Sequence, residues 1–221
     1  MEHNEIGIKA LQDGNFEKAI EAFMKAAEEE PENPVGYINL GNVFASAGDS
    51  ERAERFFQKA ITLDEKAGSA FYGLANLYFS NERFEEAAKL YEKAIRTGLD
   101  EADAYFMLAK SLNHSGTSKL ALPYMQRAAE LAPTDLEIRL SYGILLAEME
   151  LFKEAGQEFS FILLNDPDHA DAHYNMGVLY AVSTDRKDDA LHHLEKAYTL
   201  EPEHTQARYI YDMIKLGEQS S

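Results

Sequence analysis

Small residues recur every 34 positions along this chain of 221 residues, and no other feature limits its possible folds as strongly. The first series consists of Gly7, Gly41, Ala75, Ala109, Gly143 and Gly177. The second consists of Ala19, Ala53, Ala87, Ala121, Ala155 and Ala190, and the third of Ala26, Ala60, Ala94, Ala128, Ile162 and Ala197. Three series in register indicate a repeated supersecondary unit that must stack on its neighbours to bury its apolar surface.

Each repeat has the pattern of two helices. In the second repeat the apolar stripes are Tyr37, Leu40, Gly41 and Phe44, followed by Ala53, Phe57 and Ala60. The spacing of three and four residues within each stripe is that of one face of an α-helix. Glycines end the first helix of several repeats, at Gly14, Gly48 and Gly116. Prolines close the second helix, at Pro31, Pro133, Pro167 and Pro202, because proline cannot donate the next helical hydrogen bond.

These residues resemble the signature of the tetratricopeptide repeat family, and the resemblance covers essentially the whole chain. It implies an all-α fold, a right-handed superhelical solenoid of antiparallel helix hairpins that forms one array over residues 1–217. The predicted hairpins are 1–33, 34–67, 68–101, 102–135, 136–169 and 170–204. A capping helix is predicted over 205–216, with Ala207, Ile210, Tyr211 and Ile214 facing the last hairpin, and residues 217–221 should fray.

Composition excludes several classes of partner and site. The chain has 39 acidic and 21 basic residues, a net charge of −18, which repels nucleic acid and anionic membranes. It contains no cysteine, so disulfides and thiolate metal sites are excluded. The first residues lack the basic and apolar regions of a signal peptide, and no apolar stretch is long enough to cross a bilayer. The expected location is the cytoplasm.

Candidate chemistry is sparse. His169 and His173 are four residues apart near several aspartates, a spacing that could supply metal ligands, but no second histidine pair completes a site. The alternative is that His169 lies in a turn and His173 in the packing stripe. No phosphate-binding loop or nucleophile elbow is present, and no carboxylate pair is tied by spacing to a nucleophile. We therefore predict no catalytic residue, no metal, no cofactor and no enzymatic activity.

The family resemblance also implies where a partner would bind. The second, fifth, ninth, twelfth and thirteenth places of each hairpin would line a concave groove, and we call these places the groove face. Here they are unusually apolar and aromatic for a surface without a ligand. The predicted partner-binding residues, on and beside these places, are Ile38, Asn39, Asn42, Tyr72, Asn76, Phe79, Asp103, Phe106, Lys110, Asn113, Glu137, Leu140, Ile144, Asp171, Tyr174, Asn175 and Val178. The alternative is tighter curvature, which would bury part of this row against neighbouring hairpins.

Two features of the groove face suggest what kind of segment it would hold. Asparagine side chains both donate and accept hydrogen bonds, so they can pair with an extended peptide backbone, or they can simply solvate the groove. Asp103, Glu137 and Asp171 are 34 residues apart and would form an acidic row, which favours a basic, apolar segment unless it is ordinary surface charge. The predicted function is a protein-interaction scaffold or adaptor. The alternative is a self-associating or spacer module.

Overall fold

The computed structural model describes residues 2–219, which form 13 α-helices and no strand. The helices are α1 (Glu2–Gln12), α2 (Phe16–Glu29), α3 (Pro34–Ser46), α4 (Ser50–Leu63), α5 (Gly68–Ser80), α6 (Phe84–Arg96), α7 (Ala102–His114), α8 (Ser118–Leu131), α9 (Leu136–Glu148), α10 (Phe152–Asn165), α11 (Ala170–Ser183), α12 (Lys187–Leu200) and α13 (Thr205–Gln219). Each predicted hairpin contains two of them, so the predicted all-α fold and its 34-residue interval are confirmed.

The helices form two compact units. The first unit ends at Tyr124 and the second begins at Met125, so the boundary lies within α8, one residue after Pro123. The core of the first unit is built from the facing stripes of its hairpins and includes the fully buried side chains of Phe23, Phe57 and Tyr91. In the second unit Phe159, Ile162 and Leu194 are fully buried. The single array predicted over residues 1–217 stays a prediction.

Local sequence explains where the helices start. The side chain of Asn15 accepts a hydrogen bond from the Lys18 amide at the start of α2, and Asp49 does the same for Arg52 in α4. Such caps satisfy amides that have no partner within the helix and typically stabilise it by about 1 kcal/mol. Asn33, Asp135 and His169 cap α3, α9 and α11 in the same way.

The turns inside the first five hairpins each contain a left-handed residue. Gly14, Gly48 and Gly116 have φ angles of 73°, 77° and 79°, as predicted from their position between the two helices. The third and fifth hairpins place Glu82 and Glu150 at the corresponding position, with φ angles of 60° and 61°. Because a side chain makes the left-handed region less favourable, these two turns are strained where the glycine turns are not.

The recurring small residues allow the two helices of a hairpin to approach closely. A Cβ atom on Gly41 would lie 2.7 Å from the ring of Phe57, and a Cβ on Gly73 would lie 2.4 Å from the same ring. The corresponding distance from Gly143 to Phe159 is 2.5 Å. These distances are far below ordinary carbon contacts, so the rings occupy the volume that a side chain on the glycine would need.

The last helix packs as predicted but is longer. Ala207 of α13 is fully buried with Leu194 and Ala197 of α12, and Ile210, Tyr211 and Ile214 pack against this cluster. The helix continues to Gln219 rather than ending at residue 216, so three residues of the predicted tail are helical, and Ser220 and Ser221 lie outside the described residues. Among the described helices, none combines the length and apolar character of a bilayer span.

Candidate functional site

In the first unit, a polar hollow lies between two helices that carry no charge. Neither α3 nor α5 contains an Asp, Glu, Lys or Arg, although the chain has a net charge of −18. The hollow has a volume of about 630 Å³. Its lining residues are Asn42, Ala45, Ser46, Gly48, Ser50, Gly73, Asn76, Leu77, Ser80 and Asn81. Neutral hydrogen-bonding groups therefore dominate this surface.

The predicted asparagines are largely engaged within the protein. Asn39 donates from Nδ2 to Oδ1 of Asn4 at 3.0 Å, which joins α3 to α1. Oδ1 of Asn76 accepts a hydrogen bond from the Tyr91 hydroxyl at 2.5 Å, and Oδ1 of Asn113 accepts one from Ser118 at 2.6 Å. Asn42 is exposed at the hollow. Because an amide has two donors and two lone pairs, each of these side chains keeps further hydrogen-bonding capacity.

A tyrosine network contacts one member of the predicted acidic row, Asp103, which is itself exposed. The hydroxyl of Tyr72 donates to Oδ2 of Asp103, and the Tyr72 ring meets the Tyr91 ring edge-on at 5.5 Å between centroids. Burial, followed by the neighbouring Asp103 carboxylate, raises the pKa of Tyr72. The hydroxyl therefore stays protonated and keeps its hydrogen to donate, so the Asp103 carboxylate is already hydrogen-bonded within the first unit.

Aromatic rings cluster beside Lys110 at the end of α5 and α7. His114 stacks on Phe84 at 4.7 Å between centroids and meets Phe79 edge-on at 5.7 Å. Nζ of Lys110 lies 5.0 Å from the centroid of the Phe106 ring and 6.0 Å from that of Phe79. These cation–π contacts orient the lysine along the rings. Phe79 stays partly exposed beside the cluster.

Two predicted groove residues belong to the core instead. Ile38 is 8% exposed and Phe106 is 6% exposed, so the prediction that they present an apolar surface is wrong. Ile38 is part of the core that unites the hairpins of the first unit. The burial of these two residues agrees with the alternative of tighter packing. Tyr72 and Phe79 remain partly exposed.

In the second unit, the predicted apolar residues are all partly exposed. Leu140 and Ile144 lie on α9, and Tyr174 and Val178 lie on α11. Tyr174 and Val178 also pack against the cluster beneath α13, and the Tyr174 ring lies 4.5 Å from that of His204. The groove face of the second unit is therefore apolar, whereas the hollow of the first unit is lined by polar residues.

The acidic residues of the second unit are exposed. Glu137 begins the first turn of α9 and Asp171 that of α11. Oδ1 of Asp171 lies 3.7 Å from Nε2 of His204, and the Asp171 carbonyl accepts a hydrogen bond from Asn175. Negative charge in the first turn of a helix is favourable, because it faces the positive end of the helix dipole.

The two histidines considered as metal ligands have other partners. Nδ1 of His169 accepts from the Ala172 amide and caps α11. In His173, Nδ1 lies 2.9 Å from Nδ1 of His193, and Nε2 lies 3.0 Å from the Pro167 carbonyl oxygen. Both nitrogens of the buried His173 ring are thus occupied. Among the side chains described, those of residues 2–217, no three histidine, aspartate or glutamate groups gather as metal ligands would.

Sequence reasoning missed an apolar row on α13. Tyr209, Met213 and Leu216 are 66%, 53% and 58% exposed, and they lie on a different face from the residues that pack against α12. The signal was available in the register, because these residues follow Tyr174, Val178 and Ala181 by 35 positions each. The interpretation of α13 as a capping helix overlooked that Tyr209, Met213 and Leu216 occupy groove-face places.

Comparison with protein families gives two matches. A model of the cilia and flagella-associated protein 70 C-terminal domain matches residues 4–175. A model of the tetratricopeptide repeat matches residues 170–204. No curated protein sequence matches the chain significantly.

Comparison with solved structures gives similar folds. YrrB, described as a TPR protein with an unusual peptide-binding site, is 42% identical, with 88% of this chain and 100% of that chain covered and a TM-score of 0.82. PilF of Pseudomonas aeruginosa is 20% identical, with 96% of each chain covered and a TM-score of 0.80. MamA is 19% identical, with 80% of this chain and 96% of that chain covered and a TM-score of 0.72. At these identities, PilF and MamA bear on the fold alone.

Proposed function

The chain belongs to the tetratricopeptide repeat family, and from this premise we propose that it is a non-enzymatic scaffold that holds a peptide segment of a partner protein on its groove face. Proteins with this fold generally mediate protein–protein interactions. The observation that carries the finer proposal is the charge-free hollow between α3 and α5, lined by Asn42 and Asn76. The peptide-binding site of YrrB, a relative of 42% identity, supports the same class of ligand.

The chemistry of the hollow favours an extended, uncharged stretch of backbone. A charged side chain would lose hydration on entering and would meet no opposite charge on α3 or α5. Backbone amides and carbonyls, in contrast, can be satisfied by the exposed Asn42 amide and the serine hydroxyls at the rim. Because the backbone is the same in every sequence, specificity must come from side chains outside the hollow.

The proposed basic and apolar character of the partner rests on the second unit. Glu137 and Asp171 are exposed beside the partly exposed Leu140, Ile144, Tyr174 and Val178. Asp103 lies in the first unit, where it is exposed and its carboxylate also accepts the Tyr72 hydrogen bond. Exposed ion pairs typically add about 0.2–1 kcal/mol each, so affinity would come from apolar burial and the acids would set selectivity.

A matched pair of variants tests the hollow. Ala45 lines it, whereas Ala47, two residues later, is exposed outside it. Ala45→Arg fills the hollow with a long charged side chain, and Ala47→Arg adds the same side chain and charge elsewhere. We expect peptides selected from a random displayed library on the wild-type protein to bind Ala47→Arg equally and Ala45→Arg at least about tenfold more weakly.

The outcome separates the proposal from its alternative. Circular dichroism first establishes that both variants keep their helical content. If the library yields no peptide, or if the selected peptides bind Ala45→Arg as tightly as wild type, the hollow is not a peptide site. A spacer or self-associating module would instead show no selection, and a change in mass by analytical ultracentrifugation would identify self-association.

A further inference from the structure

The exposed row on α13 is unusual for a helix that closes a repeat protein. Tyr209, Met213 and Leu216 are each more than half exposed, at 66%, 53% and 58%. They are spaced by four and three residues, so they form one stripe about 10 Å long on the helix surface. A terminal helix that only shields the core from water would carry polar residues at such positions. Protection of the core from water therefore does not explain why these three apolar residues are exposed.

The register of the repeats assigns this row to the groove face. Tyr209, Met213 and Leu216 occupy the fifth, ninth and twelfth places of α13, and Tyr174, Val178 and Ala181 occupy the same places of α11. In α9 the places are held by Leu140, Ile144 and Ala147. Tyr174 and Val178 of α11 pack against the same buried cluster as Ile210, Tyr211 and Ile214 of α13, which brings both helices to one cluster.

The charged residues at the groove-face places of the second unit are all acidic. None of the groove-face places in α9, α11 and α13 holds Lys or Arg, whereas Glu137, Glu148 and Asp171 are exposed there. Residues 125–221 as a whole contain 18 acidic and 8 basic residues. Arg139, the cation nearest in sequence to these places on α9, is paired with Glu158 at 2.5 Å. Arg208 and Lys215 flank the row on α13, and Nε2 of His204 lies 3.7 Å from Oδ1 of Asp171, but the acidic excess of the second unit means that an approaching basic segment would still meet net negative charge around an apolar floor.

The backbone of the partner must satisfy its own hydrogen bonds on this surface. The fifth, ninth and twelfth places of α9, α11 and α13 hold aliphatic, methionine, alanine and tyrosine residues, and no amide side chain. An extended segment laid over them would lose water from its N–H and C=O groups and could replace those hydrogen bonds only at the hydroxyls of Tyr174 and Tyr209. A helix forms these bonds internally and presents apolar side chains at intervals of three and four residues, which match the row on α13.

We propose that α13 is a binding element, and that its row Tyr209, Met213 and Leu216, with Tyr174 and Val178, docks a basic amphipathic helix of a partner protein. This inference rests on the proposed scaffold function but assigns the second unit a different ligand from the extended segment proposed for the first. Apolar residues of the partner helix cover the row, and its Lys and Arg side chains face the exposed acids.

A designed peptide and one matched pair of variants test the proposal. The probe is a labelled helical peptide of about 18 residues with Leu on one face and Lys on the other. Met213→Gln keeps the side-chain length but adds a polar amide in the row, and Met24→Gln makes the same change at an exposed position of α2. A second probe, with Glu in place of every Lys, reports the charge preference.

We expect the basic peptide to bind the wild-type protein and Met24→Gln alike, by fluorescence anisotropy, and Met213→Gln about tenfold more weakly. Its affinity should fall as the salt concentration rises, and the Glu-substituted peptide should bind at least about tenfold more weakly. Equal binding of both peptides, equal binding by Met213→Gln, or no binding of the basic peptide overturns the proposal.

Two further results keep this inference distinct from the scaffold function. If Ala45→Arg abolishes binding of selected extended peptides while the helical peptide never binds, only the role of α13 fails. Sedimentation of the protein without peptide tests whether a second copy of the chain covers the row instead. A wild-type dimer that Met213→Gln, but not Met24→Gln, converts to a monomer would show that a second copy covers α13, which contradicts the proposal.

Discussion

The same substitution at two glycines of the second unit should change stability in opposite directions. Gly143 lies in α9, where a Cβ would come within 2.5 Å of Cε1 and 3.0 Å of Cδ1 of Phe159. Gly156 lies in α10, where a Cβ would meet only the methyl groups of Leu179, at 4.0 Å. Both residues are helical and neither has a positive φ, so alanine is compatible with the backbone at both positions.

The magnitudes follow from packing and helix propensity. Replacing a helical glycine by alanine gains about 1 kcal/mol where there is room, and Gly156→Ala should keep most of that gain. At Gly143 the fully buried Phe159 ring would have to retreat by about 1 Å to reach ordinary carbon contact. Overpacking of this kind costs about 1–3 kcal/mol, which exceeds the propensity gain. Because both variants gain the helix-propensity term, they should differ by the overpacking cost, about 1–3 kcal/mol.

Thermal unfolding followed by circular dichroism measures the difference. For a chain of this size, 1 kcal/mol corresponds to about 2–4 °C in Tm, so Gly143→Ala should melt several degrees below Gly156→Ala. Hydrogen exchange adds spatial resolution, because stability in repeat proteins is partly local. We expect faster exchange in α9 and α10 for Gly143→Ala and unchanged or slower exchange for Gly156→Ala.

A double variant tests whether Phe159 is the cause. Phe159→Leu alone loses buried ring surface, but it also vacates the volume that a methyl group on residue 143 would enter. The double variant Gly143→Ala, Phe159→Leu should therefore be more stable than the sum of the single changes predicts, by about 1 kcal/mol. Strict additivity, or a Gly143→Ala protein as stable as Gly156→Ala, would refute the packing argument.

Three other predictions concern charge and backbone strain. Burial, with the adjacent His173, lowers the pKa of His193 to about 4, so the unfolded state binds the proton more readily than the folded state. The free energy of unfolding should therefore be greatest above pH about 6.5 and fall as the pH is lowered towards about 4. In urea titrations, His193→Gln should reduce this dependence on pH. Arg139→Leu leaves the mostly buried Glu158 without its partner and should cost about 3 kcal/mol by thermal unfolding, most of it recovered when Glu158→Leu is added. Glu82→Gly relieves a left-handed turn at φ 60° and should raise stability by about 0.5–1 kcal/mol, whereas Glu85→Gly in the adjacent helix should lower it.

The sequence predicts the hairpins well because their determinants are local. The spacing of Gly41 and Phe57, the turn glycine Gly48 and the closing prolines each act within one repeat, and the structure places all of them as expected. Repetition strengthens the prediction further, because the pattern of regular repeats also predicts the hairpin in a repeat that lacks one of the expected residues. The strained Glu82 turn shows this, because the hairpin forms without the glycine that its neighbours carry.

The candidate site was harder to predict because it depends on contacts between repeats. Helical period alone does not say that Ile38 joins the core of the first unit, or that Asn39 is hydrogen-bonded to Asn4, 35 residues earlier. Nor does it show that Asp103 accepts a hydrogen bond from Tyr72 in the preceding repeat. The apolar row on α13 was visible in the register but not in any local motif. Whether a side chain belongs to the core or to the surface is settled by its neighbour in space.

The buried ring of Phe57 connects α4 to the two helices that line the hollow of the first unit. Its ring fills the space beside Gly41 of α3 and Gly73 of α5, the two helices that bear Asn42 and Asn76 at the hollow. A ligand that holds those helices together therefore also restrains the ring, and with it α4, which does not line the hollow beyond Ser50. Amide exchange along α4 should therefore slow when the hollow is filled, including in the part of α4 beyond Ser50 that lies outside the hollow.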